Sequence, residues 1–217
     1  MKIDKKNAVR IITEAAVKYQ EHLNHRRFLI LFRYGEEIRY VEVGFRDMNF
    51  LHLTGVKCDV SAQKFFERCI NRKLSERDIS IDGKGKVAQK LHVLPYIHEL
   101  LYHNCMIGDF VNSGVMIQAD YFVGDTKLIL SVGFRHGNSV DIPVTLYSGD
   151  VRKLTKPTNK VLAIYRRTYP EKKYKETTYI SNGFSLEKAK LPAEVIDLLE
   201  ILDESSEKEL DNTDGKC

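Results

Sequence analysis

Four strand-like runs joined by short turns dominate the second half of the chain, and they limit its possible folds more than any other feature. The runs are VMIQADYFV, KLILSVGFR, DIPVTLYSG and KVLAIYRRTY. Turns rich in Gly and Asp separate the first three, and a longer loop containing Pro157 precedes the fourth. Because short connections cannot carry the chain back across a sheet, neighbouring runs are predicted to pair antiparallel. A fifth run, ETTYIS, is expected to add an edge strand.

The first half of the chain is mostly helical in pattern. Apolar residues at spacings of three and four predict an amphipathic helix over residues 4–23. The runs RRFLILFRY and IRYVEVGF, around GEE, predict a hairpin, and FLHLTGV is expected to form a turn. Further helices are predicted over 61–73 and 87–104, with Pro95 kinking or splitting the second.

These patterns predict an α+β fold. N-terminal helices and a small hairpin would pack on a mainly antiparallel sheet of four to five strands, with one sheet face covered. Residues 1–190 are expected to form a single domain. Residues 191–217 are expected to form an acidic C-terminal helix followed by a disordered tail.

Composition is that of a globular protein, with 43% hydrophobic and 29% charged residues among 217. No apolar run approaches the ~20 residues of a membrane span, and MKIDKKNAVR lacks the apolar region of a signal peptide, so we expect a cytoplasmic protein without a membrane partner. The four cysteines are scattered, as in a reducing compartment.

Charge is unevenly distributed along the chain. From Leu191 onward there are 9 acidic and 2 basic residues, which leaves 32 basic and 21 acidic residues before that point. A basic body with an acidic tail favours a polyanionic partner such as nucleic acid. Mild basicity is also common in soluble proteins, so charge alone does not decide the function.

Alternation along the predicted strands places polar side chains on the face opposite the helices. In KLILSVGFR, one parity is apolar (Leu128, Leu130, Val132, Phe134) and the other carries hydroxyl and guanidinium groups. An open sheet face with such groups can bind a phosphodiester, although one face of an antiparallel sheet is commonly just wet and polar. The candidates on the strands are Ser131, Arg135, Thr145, Tyr147, Lys160 and Arg166.

The segment FRDMNFLHLTGV concentrates chemically active groups within an apolar frame. It holds Arg46, His52 and Thr54 within nine positions. Histidine is the side chain best suited to proton transfer near neutral pH. A core histidine with a satisfied hydrogen bond is the alternative interpretation of His52. No P-loop, dinucleotide fingerprint or compact metal-ligand spacing is present, so we expect no metal or cofactor.

The order of FRDMNFLHLTGV, AQKFFERCINRKLS, VLPYIHELLYHNCMIGDF and ADYFVGDTKLILSVGFR, followed by IPVTLYSGD and KVLAIYRR, resembles a known family. This is the phage- and mobile-element-associated branch of the Barnase–EndoU–colicin E5/D–RelE-like nuclease superfamily, and the resemblance spans roughly residues 5 to 180. It implies a metal-independent endoribonuclease, toxin-like or used in phage conflict, in which a ribose 2′-hydroxyl attacks the adjacent phosphate to leave a 2′,3′-cyclic phosphate. Its active site would lie on the exposed sheet face.

The family motif carries over only His52, as acid or base, and Thr54, as a phosphate ligand. Sheet parity adds Arg46, Arg135 and Arg166 to hold the phosphate. The candidates for binding and positioning the substrate are Ser131, Thr145, Tyr147 and Lys160.

Two other classes of function are compatible with the sequence. One is a catalytically inactive inhibitor or adaptor that binds nucleic acid or protein through its basic face. The other is nucleotidyl or ADP-ribosyl transfer, which would require a nucleotide cofactor. For a nuclease the partners would be RNA, whether tRNA or mRNA, and an antitoxin or host protein. The oligomeric state is not predicted.

Overall fold

The computed structural model describes residues 3–82, 85–111, 118–127 and 129–200. Within these ranges the helices are α1 (Lys5–His22), α2 (Asp47–Thr54), α3 (Ala62–Ile70), α4 (Lys86–Val93) and α5 (Ala193–Leu198). Two 3-10 helices span Leu94–Tyr102 and Val151–Lys153. Helices α2 to α4 lie in the chain between the nine-residue strands 26–34 and 37–45 and the strands that follow residue 105, so the described chain mixes helices and strands as the α+β prediction required.

Ten strands occur in the same described ranges. They are β1 (Arg26–Tyr34), β2 (Glu37–Phe45), β3 (Lys57–Cys58), β4 (Ile79–Ser80), β5 (Met106–Phe110), β6 (Tyr121–Asp125), β7 (Leu130–Arg135), β8 (Ile142–Ser148), β9 (Thr155–Thr168) and β10 (Glu176–Ile180). β3 and β4 form a small ribbon, and the others form one sheet in the order β2-β1-β9-β5-β6-β7-β8, with β10 also paired to β9.

The sheet is larger than the predicted four to five strands, because β9 joins two parts of the chain. The 14 residues of this strand pair antiparallel with β5 in the first half, and with β1 and β10 in the second. The predicted hairpin is confirmed as β1 and β2, but it belongs to the main sheet. β5 was not predicted, since MIGDF offers only a short, weakly alternating pattern.

The sheet curls until its two edge strands meet. Val43 of β2 forms a parallel bridge with Asp141, just before β8. Gly44 N donates to Asp141 O over 2.8 Å, and Asp141 N donates to Glu42 O over 2.8 Å. Strands twist with one hand, so a large antiparallel sheet can close in this way and bring distant segments together.

The larger core lies between the helices and one face of the sheet. Leu130, Val132 and Phe134 of β7 belong to it, as predicted, together with Phe28 and Ile30 of β1. Leu128 lies outside the described residues. Alternation places every second side chain of each strand in this layer.

The opposite face is not the open surface that the alternation suggested. Over β1 and β9 it is covered by segments of the chain that follows β9, including the buried residues Tyr174, Val195 and Leu199. Beside β6, it is covered by a small cluster that includes Val151 and Leu154. In the described part of the chain, the clefts therefore lie at the edges and ends of the sheet. The predicted disordered tail after residue 200 lies outside the described residues.

One local prediction is corrected at the helices and another is confirmed. FLHLTGV was expected to form a turn, but its first five residues, 50–54, belong to α2, and Gly55 caps the helix. The predicted break at Pro95 is confirmed: α4 ends at Val93 and the first 3-10 helix follows, because proline has no N–H to donate to the next helical hydrogen bond. None of the helices in the described part of the chain is long and apolar enough to span a bilayer.

Candidate functional site

α2 presents His52 to solvent while burying the apolar residues around it. The helix starts after Arg46, whose N–H donates to Asn49 Oδ1 over 2.9 Å, and Tyr19 Oη donates to the Arg46 carbonyl over 2.8 Å. Phe50 is fully buried, whereas His52 is exposed. A two-turn helix anchored at its start thus directs the imidazole outward.

Thr54 points the other way. It is fully buried, its hydroxyl donates to the Leu51 carbonyl over 2.7 Å, and Val56 N donates to the same hydroxyl over 3.3 Å. These bonds satisfy backbone groups at the end of α2. The hydroxyl is therefore used in closing the helix and is not presented at a surface.

A cleft of about 480 Å³ opens between α2, the edge strand β8 and the end of β7. We call it the His52 cleft. It brings together three of the candidate residues, His52, Arg135 and Thr145, and no acidic side chain is among its described lining residues. Those are Met48, Asn49, His52, Ala62, Gln118, Arg135, Ile142, Pro143, Val144 and Thr145.

Lys90, on α4, contacts two residues of the His52 cleft. Its Nζ donates to Thr145 Oγ1 over 3.1 Å and to the His52 carbonyl over 3.3 Å. Burial, reinforced by the charge of Lys86, lowers the pKa of Lys90. The sequence carried no signal for this residue, because the contact requires α4 to pack against β8, 55 positions away.

Arg135 stands at the end of β7 with an exposed guanidinium. Its Nη2 donates to the Gln118 carbonyl over 3.2 Å and to Gln118 Oε1 over 3.0 Å. Both acceptors are uncharged, so these bonds orient the guanidinium and leave its charge available.

The remaining candidates lie apart from this cleft. Arg166 donates to Tyr102 Oη over 2.6 Å and also bonds to Glu176. Ser131 is buried and donates to the Gly149 carbonyl over 2.9 Å. Tyr147 packs with the small cluster beside β6, and Lys160 is exposed on β9 opposite Met106. Strand parity alone had grouped side chains that the curvature of the sheet separates.

Arg46 lines a second cleft of about 590 Å³, which we call the arginine cleft. It adjoins the His52 cleft, since both are lined by Met48, Asn49 and Ile142. The other described lining residues are His25, Arg26, Arg27, Gly44, Phe45, Arg46, Gly137, Asn138, Ser139, Val140 and Tyr169.

A histidine and two cationic side chains thus lie at the closed edge of an antiparallel sheet, where the cations can attract an anionic ligand. The model of the family described as phage-Barnase-EndoU-ColicinE5/D-RelE like nuclease 4 matches residues 11–183, and the chain belongs to this family. The resemblance drawn from the motifs is confirmed, and membership indicates nuclease function in general.

The other comparisons add no relative. No curated protein and no solved structure matches the chain. In the described ranges, no group of three or more His, Cys, Asp or Glu side chains could hold a metal ion.

Proposed function

We propose that the protein is an endoribonuclease that cleaves RNA by attack of a ribose 2′-hydroxyl on the adjacent phosphate. It would act in the cytoplasm, as a toxin-like or phage-conflict enzyme. The observation that carries the proposal is that the His52 imidazole opens onto the cleft that Arg135 and Thr145 also line. A proton carrier and a guanidinium thus share one solvent-accessible site without a neutralising carboxylate among the described lining residues.

The reaction assigns a distinct task to each group. The 2′-oxygen loses its proton and bonds to phosphorus, while the bond from phosphorus to the 5′-oxygen breaks and that oxygen gains a proton. His52 serves one of these proton transfers as base or acid. Arg135 and Lys90 stabilise the negative charge that develops on the phosphate oxygens. These cations make a metal ion unnecessary for this step.

Thr145 has a positioning task in this scheme. Its hydroxyl accepts a hydrogen bond from Lys90, so the ammonium group is held at the cleft although burial disfavours its charge. Thr54, Ser131 and Arg166 have no task, because their polar groups are engaged within the fold. Tyr147 and Lys160 lie outside the lining of the cleft.

The proposal is tested by incubating the purified chain with RNA in the presence of EDTA. We expect cleavage products with 2′,3′-cyclic phosphate ends, and no cleavage where the nucleotide at the scissile bond is 2′-deoxy. His52→Ala should reduce the rate by ~100- to 10,000-fold, as loss of a general acid or base does. Its melting temperature should stay near that of the wild type, since the side chain is exposed.

His103→Ala provides the matched control, because His103 is an exposed histidine outside the lining of the His52 cleft. This variant should cleave at the wild-type rate. If RNA binds but is not cut, the protein is a binder and the enzymatic proposal fails. If His52→Ala cuts as fast as the wild type, His52 is not the proton carrier.

A further inference from the structure

The arginine cleft has a charge pattern that the fold itself does not explain. In the described part of the chain, no carboxylate lies within ion-pair distance of Arg26, Arg27 or Arg46. Arg26 Nε is buried without a hydrogen-bond partner, and its Nη1 makes only a long bond of 3.5 Å to the Gln20 carbonyl. Like charges gathered without counter-charges repel one another, and a bound anion would relieve that repulsion.

Exposed apolar surface accompanies these cations. Tyr169 is 71% exposed, Met48 51% and Ile142 37%. Tyr169 lies in the arginine cleft, and the other two line the boundary with the His52 cleft. Cationic groups interleaved with aromatic and aliphatic surface suit a ligand that alternates phosphates with flat bases.

The far wall of the arginine cleft is held by a network around Asp141. This carboxylate accepts from Tyr121 Oη over 2.8 Å and from Gly137 N over 3.2 Å, and its Oδ2 lies 3.2 Å from His136 Nδ1. Gly44 packs so closely below Val140 that an added Cβ would lie 3.2 Å from the valine methyl groups. The lining is therefore a built surface rather than a loosely held loop.

We propose that the arginine cleft is a binding subsite for single-stranded RNA that continues from the His52 cleft. Arg26, Arg27 and Arg46 would hold backbone phosphates, and Tyr169 would stack on an unpaired base. Stacking requires splayed bases, which favours a single strand over a duplex. The inference depends on the proposed function only for the placement of the scissile phosphate in the His52 cleft.

The test measures binding without cleavage. Fluorescence anisotropy with a 2′-O-methyl hexanucleotide reports affinity, because this ligand lacks the attacking hydroxyl. Arg27→Gln combined with Arg46→Gln should weaken binding at least 10-fold. It should also reduce the slope of log affinity against log salt by about 1.4, since each lost phosphate contact on a single strand contributes about 0.7. A 2′-O-methyl dinucleotide, too short to fill both clefts, should be much less affected.

Arg33→Gln is the matched control, since Arg33 is an exposed arginine at the other end of β1. It should bind the hexanucleotide as the wild type does, and melting curves should show that all these variants fold. Tyr169→Ala should weaken hexanucleotide binding about 10-fold, whereas Tyr169→Phe, which keeps the ring, should not.

The subsite is overturned if the double variant and Arg33→Gln bind the hexanucleotide equally. It is also overturned if the wild type does not bind that ligand, or binds a duplex equally well. These results are separable from the proposed function. Arginine-dependent binding of the hexanucleotide without cleavage of natural RNA would support the subsite and overturn the nuclease mechanism. Cleavage of natural RNA by the wild type, with unchanged hexanucleotide affinity in the double variant, would support the nuclease and overturn the subsite.

Discussion

Arg167 and Arg27 are cross-strand partners in the β9–β1 pairing, yet their surroundings differ. Arg167 lies 3.9 Å from Glu42 and over the ring of Tyr174, whose hydroxyl donates to the same carboxylate over 2.7 Å. Arg27 faces the arginine cleft with no described carboxylate in reach. The two residues are thus directly opposite each other on neighbouring strands, and Arg167 is distinguished by its contacts with Glu42 and Tyr174.

The same contrast holds between Arg166 and Arg135. Arg166 is bonded to Glu176 and Tyr102 and links β9 to β10 and to the first 3-10 helix. Arg135 is bonded only to neutral acceptors of Gln118. An arginine paired with a carboxylate stabilises the contact between two segments of the fold, whereas an arginine without a counter-charge can attract an anionic ligand. Pairing with a carboxylate therefore separates the arginines that stabilise this sheet from those proposed to bind a ligand.

Among the variants that test this contrast, the largest effect is expected from removing one arginine of each kind. Arg135→Gln should lower kcat/KM for RNA about 100-fold, as loss of a charge-stabilising donor does, with little change in melting temperature. Arg166→Gln should leave kcat/KM within about 3-fold of the wild type and lower the free energy of unfolding by about 1–2 kcal/mol, as its bonds are lost. Cleavage assays and urea titrations measure both. Equal losses of activity would break the distinction between paired and free arginines.

A smaller effect should follow from displacing Lys90 without changing its charge. Gly55 has φ +75°, and a Cβ there would lie 2.8 Å from Lys90 Cδ. Gly55→Ala should cost about 1–2 kcal/mol of stability from the left-handed backbone, and should lower cleavage about 10-fold as the ammonium group moves away from Thr145.

Gly35→Ala separates these two consequences. Gly35 also has positive φ, +59°, but nothing lies within 4 Å of an added Cβ. This control should lose similar stability and keep full activity. If both variants lose activity equally, the cause is general destabilisation and not the position of Lys90.

A modest loss of stability is expected from removing the Thr54 hydroxyl, which we expect to stabilise the fold and to have no part in cleavage. Thr54→Val removes the hydroxyl that bonds to Leu51 and Val56, so it should lower the free energy of unfolding by about 1 kcal/mol and leave the cleavage rate unchanged. Thr54→Ser keeps the hydroxyl and serves as the control. If Thr54→Val lost activity without losing stability, Thr54 would be a functional residue of the site after all.

How far the sequence could predict this site depended on the range of the contacts involved. Local periodicity was sufficient for the β1–β2 hairpin, for the inward side of β7 and for the break at Pro95. It could not show that Lys90 meets Thr145, or that Arg166 meets Tyr102, 64 positions away. Those contacts depend on how the helices lie across a curled sheet, and strand parity contains no information about that curvature.

The smallest expected effect concerns the pH dependence of Lys90. Burial and the charge of Lys86 lower its pKa below the ordinary 10.5, so in the window between the lowered value and 10.5 the folded protein has released a proton that the unfolded chain still binds. Stability relative to Lys90→Met should therefore rise with pH through that window. As pH rises through the same window, the ratio of wild-type affinity to Lys90→Met affinity for the 2′-O-methyl hexanucleotide should instead fall by a few-fold, because the wild type loses a cation at the His52 cleft. Urea titrations and anisotropy, each taken as the difference between wild type and Lys90→Met, measure the two trends. If the two differences stay flat up to pH 10.5, Lys90 is not a buried cation of the cleft.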